Sequence, residues 1–285
     1  MLVRTRRGPT PMPVVRHRET GETITDVPGD TLAGASLRGH AMAYADLSGA
    51  DVRGADLRHA DLCNADLRDA RFDGATLTGA DFTLADSVAS GFSRARLDDA
   101  RCQGMNKRHL GGVGIDFSGA DLTRATLKNS NLIGASFRNA ILRRADLTRC
   151  NLSNADLTGA ELDDACFMST NLSGARLSYA SLVGAVMNGA NLEGAILVGA
   201  DLTFTTLNGV RLANADFTDT LWSKTSLARA VGLEAARGFD ALRYGDRSAI
   251  DLTSVRGALA GLPDKFLLNC GVEEREITAI RSLLA

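Results

Sequence analysis

Large apolar residues recur at every fifth position through most of the chain. The series Leu47, Val52, Leu57, Leu62, Leu67, Phe72, Leu77, Phe82 is typical. An Ala precedes each of them by two places, and Asp commonly stands between the two. A step of five turns about 140° on an α-helix, which spreads apolar residues over every side. On a flat strand, five is odd, so successive members would alternate between the two faces. Neither element buries the pattern. A chain that runs extended for three residues and turns in the next two does. Ala55 and Leu57 then point inward, Asp56 points outward, and Arg58 and His59 form the corner. With a corner of about 90°, four pentapeptides close one square coil, and stacked coils pair at about 4.8 Å. The predicted fold is an all-β solenoid, a quadrilateral parallel β-helix.

The corner chemistry agrees with this. The residue before the inward Ala is often Gly or Asn, as at Gly49, Gly54, Asn64, Gly74 and Gly79. These residues accept the positive φ that tight turns demand. The register runs from Leu32 to Leu227 in steps of five, forty repeats or about ten coils. The corresponding rod is roughly 45–50 Å long. Residues 20 apart should then share a column. Phe72 and Phe92 fall in one such column, with Gly112 and Leu132 following them. Phe117 and Phe137 fall in another, after Leu97. All four rings are expected in the core.

The pattern fails in RCQGMNKRHLGGVGI, residues 101–115. Lys107 and Gly112 occupy expected Leu positions, while Met105, Leu110 and Ile115 occupy expected Ala positions. Two readings are open: one irregular coil, or a loop that leaves the wall. The glycines at 111, 112 and 114 favour the loop. Asn106, Lys107, Arg108 and His109 are therefore the candidate interaction segment, since loops on rigid scaffolds commonly carry contacts. A smaller fault lies at Asp86–Gly91, where Ser87 replaces Leu and Ser90 replaces Ala. Residues 1–12 are expected to be a disordered tail. Residues 13–30 alternate like a hairpin turning at Thr20-Gly21, and would cap the first coil. The repeat unit spans 31–228. Residues 229–285 are expected as a short helical cap or connector. A helix start signal stands at Pro263-Asp264, and Val272, Ile277, Ile280 and Leu284 have helical spacing.

Composition narrows the function. The net charge is −2, with a pI of about 6.1, so bulk charge offers nothing to nucleic acid or to an anionic membrane. No apolar run is long enough to span a bilayer. Five cysteines, an odd number without CxxC spacing, fit neither a disulfide framework nor a zinc site, and suit a reducing cytoplasm. His17, His40, His59 and His109 are scattered, and nothing pairs a nucleophile with a base. No catalytic residue, cofactor or metal is expected. Consecutive outward acids, from Asp46 to Asp66, fall on successive walls and do not form one acidic patch.

Repeats of the form A-(D/N)-L-x-x resemble the pentapeptide-repeat family, whose members fold as right-handed quadrilateral β-helices. The tail, with SAIDL and GLPDKFLLNCGVEEREI, resembles a connector that joins such repeats to a Toll/interleukin-receptor-type domain. These resemblances imply a non-enzymatic protein-interaction scaffold or regulatory binding module. Its protein partners are unidentified, and self-association through a terminal cap is an option. A first alternative is a DNA mimic that binds DNA gyrase and confers drug or toxin resistance, as some family members do. A second is the regulatory part of a signalling or defence effector. Charge weighs against the DNA mimic: residues 31–230 hold 20 Lys/Arg against 22 Asp/Glu. Neither direct nucleic-acid binding nor membrane binding is expected.

Overall fold

In the computed structural model, residues 13–27, 31–106, 114–251, 258 and 261–284 are described. The repeats form a square tube with four walls. We number them in chain order by their inward residues: wall I holds Val52, wall II Leu57, wall III Leu62 and wall IV Leu67. All four of these side chains are fully buried. Parallel bridges join each wall to the next coil 20 residues on, as in Asp56 to Thr76 and Thr76 to Arg96. Between Val52 and Leu227 the inward Ala and Leu side chains are at or near zero exposure, while Leu32 and Ala50 in the first coils are half-buried.

The reason for five becomes an accounting of backbone N–H groups, all of which need acceptors when shielded from water. In the pentapeptide Ala55–His59, the Ala55 N–H closes a turn onto the Val52 carbonyl at 3.2 Å. The Asp56 N–H donates to Ala35 in the coil before, and those of Leu57 and His59 donate to Thr76 and Thr78 in the coil after. Only the Arg58 N–H has no carbonyl. The Asp56 side chain supplies its acceptor, with Oδ1 at 3.2 Å. The same two-residue bond recurs from Asp61 to Cys63, Asp121 to Thr123, Asn151 to Ser153 and Asp201 to Thr203. Asp and Asn suit this role because their short side chains reach the backbone two residues on.

Each corner places its second residue in the left-handed region, whatever its type. Gly54 has φ 65°, but so do Leu84 at 60°, Ala89 at 57° and Tyr179 at 59° within a few degrees. The fold therefore carries a small strain wherever glycine or asparagine is absent.

Across the irregular segment the bridging step changes from 20 to 25. Gly91 pairs with Asp116, Arg96 with Asp121 and Arg101 with Thr126. One pentapeptide's worth of chain is surplus to the wall. The two expected phenylalanine columns are thereby corrected into one. Phe92 stacks on Phe117 at 5.2 Å, which joins Phe72–Phe92 at 4.8 Å to Phe117–Phe137 at 5.0 Å in a single four-ring stack. Inward hydroxyls report the same offset. Thr170, Thr205 and Thr225 at Ala positions donate to Leu carbonyls 23 residues earlier, whereas Ser130 reaches back 28, to Cys102.

Further elements lie at both ends of the tube. Strands β1 (Val14–His17) and β2 (Thr23–Asp26) form an antiparallel hairpin, and β1 also pairs antiparallel with β3 (Ala45–Asp46) in the first coils. Val15 and Val27 are buried beneath it. At the other end, the helical reading of 229–285 needs correction, because its first part is wall. Strands β4 (Thr206–Asn208), β5 (Leu221–Trp222) and β6 (Ser226–Ala228) belong to the last repeats. Beyond them, β7 (Arg243–Tyr244) pairs with β5, and β8 (Ala249–Ile250) pairs with β6. Arg211 pairs with Val231 and Asp216 with Arg237, so the step lengthens around this coil. Two 3-10 turns, Leu233–Ala235 and Phe239–Ala241, take up the extra residues. Helix α1 (Asp264–Asn269) starts directly after Pro263, and α2 (Glu274–Leu284) follows. From α1, Phe266 packs on Trp222 at 5.4 Å and on Phe239 at 4.9 Å, which seals the tube with aromatic rings.

Two substitutions at left-handed corners should have opposite signs. Gly238 has φ 85°, and a Cβ there would lie 2.2 Å from the Thr218 nitrogen. Gly238→Ala should destabilise the protein by at least about 2 kcal/mol. Ala89, exposed at φ 57°, holds a Cβ in the same left-handed region. Ala89→Gly should stabilise by about 0.5–1 kcal/mol, the left-handed penalty less the added freedom of the unfolded chain. Denaturant midpoints of the two variants decide both.

Candidate interaction surface

The candidate segment begins inside the wall. Asn106 is only 3% exposed, and its Oδ1 accepts the Ser87 N–H at 2.6 Å. Asn106 is therefore a structural anchor and not a free surface residue. Its Nδ2 also donates to the Ser87 hydroxyl, and the Ser90 hydroxyl closes on the Ser87 carbonyl at 2.7 Å. From the coil above, Ser130 Oγ accepts the Met105 N–H at 3.1 Å. The fault at Ser87–Ser90 and the break after Met105 are thus one feature. Small polar side chains on wall IV replace the hydrogen bonds that a regular pentapeptide would make there. Lys107, Arg108 and His109 lie outside the described residues. Ile115 resumes the buried pattern, and Asp116 resumes the wall.

Outward acids are largely engaged. Arg53 grips Asp51, Arg58 grips Asp56 and Arg68 grips Asp66, each through two guanidinium nitrogens. Elsewhere Arg124 pairs with Asp99, Arg138 with Asp156 and Arg211 with Glu193. Such exposed pairs add little stability each, but they cancel the local field. The side-chain bond from Arg58 holds the Asp56 carboxyl down at about 2. The Thr218 hydroxyl bond lowers the Asp216 carboxyl, and the Arg68 bond lowers that of Asp66.

Stacking produces ladders that consecutive reading hides. Asp46, Asp66 and Asp86 lie above one another on wall IV, and above the break the same wall carries Asn131, Asn151, Asn171 and Asn191. The upper three are linked through their amides, with Asn171 Nδ2 donating to Asn151 Oδ1 at 3.1 Å and Asn191 Nδ2 to Asn171 Oδ1 at 3.4 Å. Reading the sequence in steps of 20 would have exposed these columns.

The cavities are shallow. A hollow of about 540 Å³ on wall I is lined by Arg53, Arg71, Asp73, Ser93, Arg94 and Asp116. It lies beside Gly91, which leaves the outward column bare between Arg71 and Asp116. Another of about 520 Å³ lies between the terminal coil and Pro263. Their linings mix signs, and none brings a nucleophile to a base. All five cysteines are free thiols. Burial pushes Cys150 and Cys270 up to about 12, so they are poor nucleophiles at neutral pH. Among the described residues, no group of three or more His, Cys, Asp or Glu is placed to hold a metal. No helix there is long and apolar enough to cross a membrane.

The square coil and its Asx corners define a pentapeptide-repeat β-helix. The family model described as "Pentapeptide repeats" matches eight copies, over residues 45–83 and then, overlapping, 115–154, 135–174, 170–209 and 195–220. These cover just over half of the chain, and the chain belongs to this family. The uncovered stretch between 83 and 115 contains the break. Among solved structures, the chain is similar to HetL of the cyanobacterium Nostoc sp. strain PCC 7120, a pentapeptide repeat protein involved in heterocyst differentiation regulation. They share 28% identity over 67% of this chain and 84% of HetL, with a TM-score of 0.52. It is also similar in fold to full-length QnrB1, a plasmid-mediated fluoroquinolone resistance protein, at 20% identity over 75% of this chain and 90% of that one, TM-score 0.36. Rfr23 of the cyanobacterium Cyanothece 51142 matches at 28% identity over 43% of this chain and 87% of its own, TM-score 0.24. No curated protein matches the chain significantly.

The carboxylates predict an acid-sensitive fold. Asp56, Asp66 and Asp216 have folded pKa values below the unfolded one of about 3.9, so their stabilisation is complete above about pH 4–5 and is lost as pH falls toward 2. Circular dichroism melts should show a flat Tm down to about pH 4.5 and a steep fall below it. Replacing the three with Asn, which keeps the acceptor oxygen, should flatten that fall.

Proposed function

We propose that the chain is a non-enzymatic interaction scaffold, a regulatory binding module that presents rigid polar walls to a protein partner. The observation that carries this reading is the bridging step of 25 on walls I to III, as from Gly91 to Asp116. The phenylalanine stack continues through it, with Phe117 next to Phe92, while the chain between Asn106 and Asp116 is one pentapeptide longer than a regular coil needs. An inserted pentapeptide on a rigid support is a natural place for a contact. On this reading Asn106 anchors the segment, and Lys107, Arg108 and His109 make the contact. Regulation by HetL offers an analogy for a regulatory role without catalysis. Five free thiols fit a reducing compartment such as the cytoplasm.

The charges favour this reading over a DNA-mimicking gyrase binder. A mimic needs an unbroken acidic face, and here bidentate arginines sit on Asp51, Asp56 and Asp66. A gyrase supercoiling assay should show neither inhibition nor protection from a quinolone at a tenfold molar excess of the chain. Either effect would revive the mimic reading. Affinity capture from the native host should then recover partners that are lost when Lys107, Arg108 and His109 are all changed to Ser. Capture of the same partners by both baits would remove the segment as the contact site.

A further inference from the structure

The upper half of wall I carries a charge pattern that is its own complement. Parallel bridges stack Asp156, Arg176, Ile196, Asp216 and Arg237 in one outward column. Read from bottom to top, the signs are minus, plus, neutral, minus, plus. Reversing the order exchanges every sign about Ile196. We propose that the chain forms an antiparallel dimer through this wall, with the two-fold axis lying in the contact plane at the layer of Ile196.

A two-fold axis of that kind keeps each column opposite itself while inverting the order of its layers. Arg176 then faces Asp216 of the partner subunit, and Asp156 faces Arg237 of the partner subunit. Asp156 already pairs with Arg138 of its own chain at 2.8 Å, so the two symmetry-related Arg176–Asp216 contacts around the Ile196–Ile196 centre carry the proposal. Parallel stacking of the same walls would instead bring Arg176 to the height of its own copy, and like charges disfavour it.

The surroundings of the column suit close approach. Gly174 and Gly194 occupy the corner that leads into this wall, and Ser178, Val198 and Thr218 line its other side, so few side chains stand proud. The centre is apolar and uncovered: Ile196 is 36% exposed, and Tyr179, in the layer below, is 69% exposed. The Tyr179 ring lies flat over Gly199, where a Cβ would come within 2.7 Å of it. Its apolar face therefore continues the Ile196–Val198 patch. Arg176 is exposed and makes no ion pair with the described residues. Asp216 uses Oδ1 for the Thr218 N–H and hydroxyl, which fixes its carboxylate in place, and Arg237 of its own chain, in the next layer, makes no ion pair with it. Five layers at about 4.8 Å span some 20–25 Å of a wall one pentapeptide wide. The contact is smaller than the roughly 800 Å² per partner of a standard interface, so the dimer should form in the micromolar range and weaken with salt. This surface is distinct from the Lys107–His109 segment, and its test is independent of the proposed partner contact.

Sedimentation velocity of the full chain, from about 5 to about 200 µM, tests the proposal. Wild type should pass from monomer to dimer over that range. Arg176→Asp and Asp216→Arg should each weaken the dimer at least tenfold, because each sets like charges opposite one another. The double variant R176D/D216R should restore wild-type association. Ile196→Arg, at the axis, should abolish it. Circular dichroism melts confirm that each variant keeps the fold, since all three side chains point outward. A wild type that stays monomeric at about 200 µM overturns the proposal. So does a dimer that survives Arg176→Asp and Ile196→Arg, or a charge swap that fails to restore what its single changes removed.

Discussion

One backbone N–H in each pentapeptide has no carbonyl within reach, and the fold depends on how that group is satisfied. Four of every five amides find carbonyls through the turn or the neighbouring coils. The fifth, two places after the outward residue, meets that residue's own side chain, as Thr203 meets Asp201. The constraint explains why Asp and Asn outnumber other polar residues at a position that looks free to vary. Where the outward residue offers no such acceptor, as at Ile141, Val186 and Ile196, the corner goes without this bond. Repetition of the bond around the tube holds the four corners to a common geometry, on which the inward Ala and Leu columns pack.

The break above Ser87 obeys the same requirement with different atoms. When the wall surrenders a pentapeptide, the Ser87 N–H loses its expected carbonyl and takes the Asn106 side chain instead. Ser130 does the equivalent for Met105. Buried polar side chains that would weaken a regular coil are what allow an irregular one. The phenylalanine stack passes the interruption, because a surplus of one whole pentapeptide returns the chain to the next wall in phase, with Phe117 above Phe92.

Much of this was legible in the sequence. Period five, the inward Ala and Leu, and the positive-φ corners at Gly and Asn all follow from local geometry. The column assignment beyond residue 106 did not, because a count in fives cannot tell a pentapeptide in the wall from one outside it. Hence Phe92 was expected beneath Gly112 and is found beneath Phe117. The terminal coil escaped for a related reason. Its steps lengthen beyond 20, so no repeat survives to read, and only the glycines at 232 and 238 and the ring cluster around Phe266 mark it. In the sequence Asn106 looks like part of a surface loop, because its role depends on a hydrogen bond to a residue 19 places away. The opposed charges about Ile196 are spread over some eighty residues and meet only when the coils are stacked.

Amide hydrogen exchange at Thr203 tests the central claim most directly. In wild type, the Thr203 N–H should be protected by Asp201 Oδ1 at 2.9 Å. Asp201→Asn should keep that protection. Asp201→Ala should remove it, leave the Leu202 and Phe204 amides protected by the neighbouring coil, and cost about 1 kcal/mol. Unchanged Thr203 protection in Asp201→Ala would contradict the account, because the corner would then be holding its fifth amide by some other means.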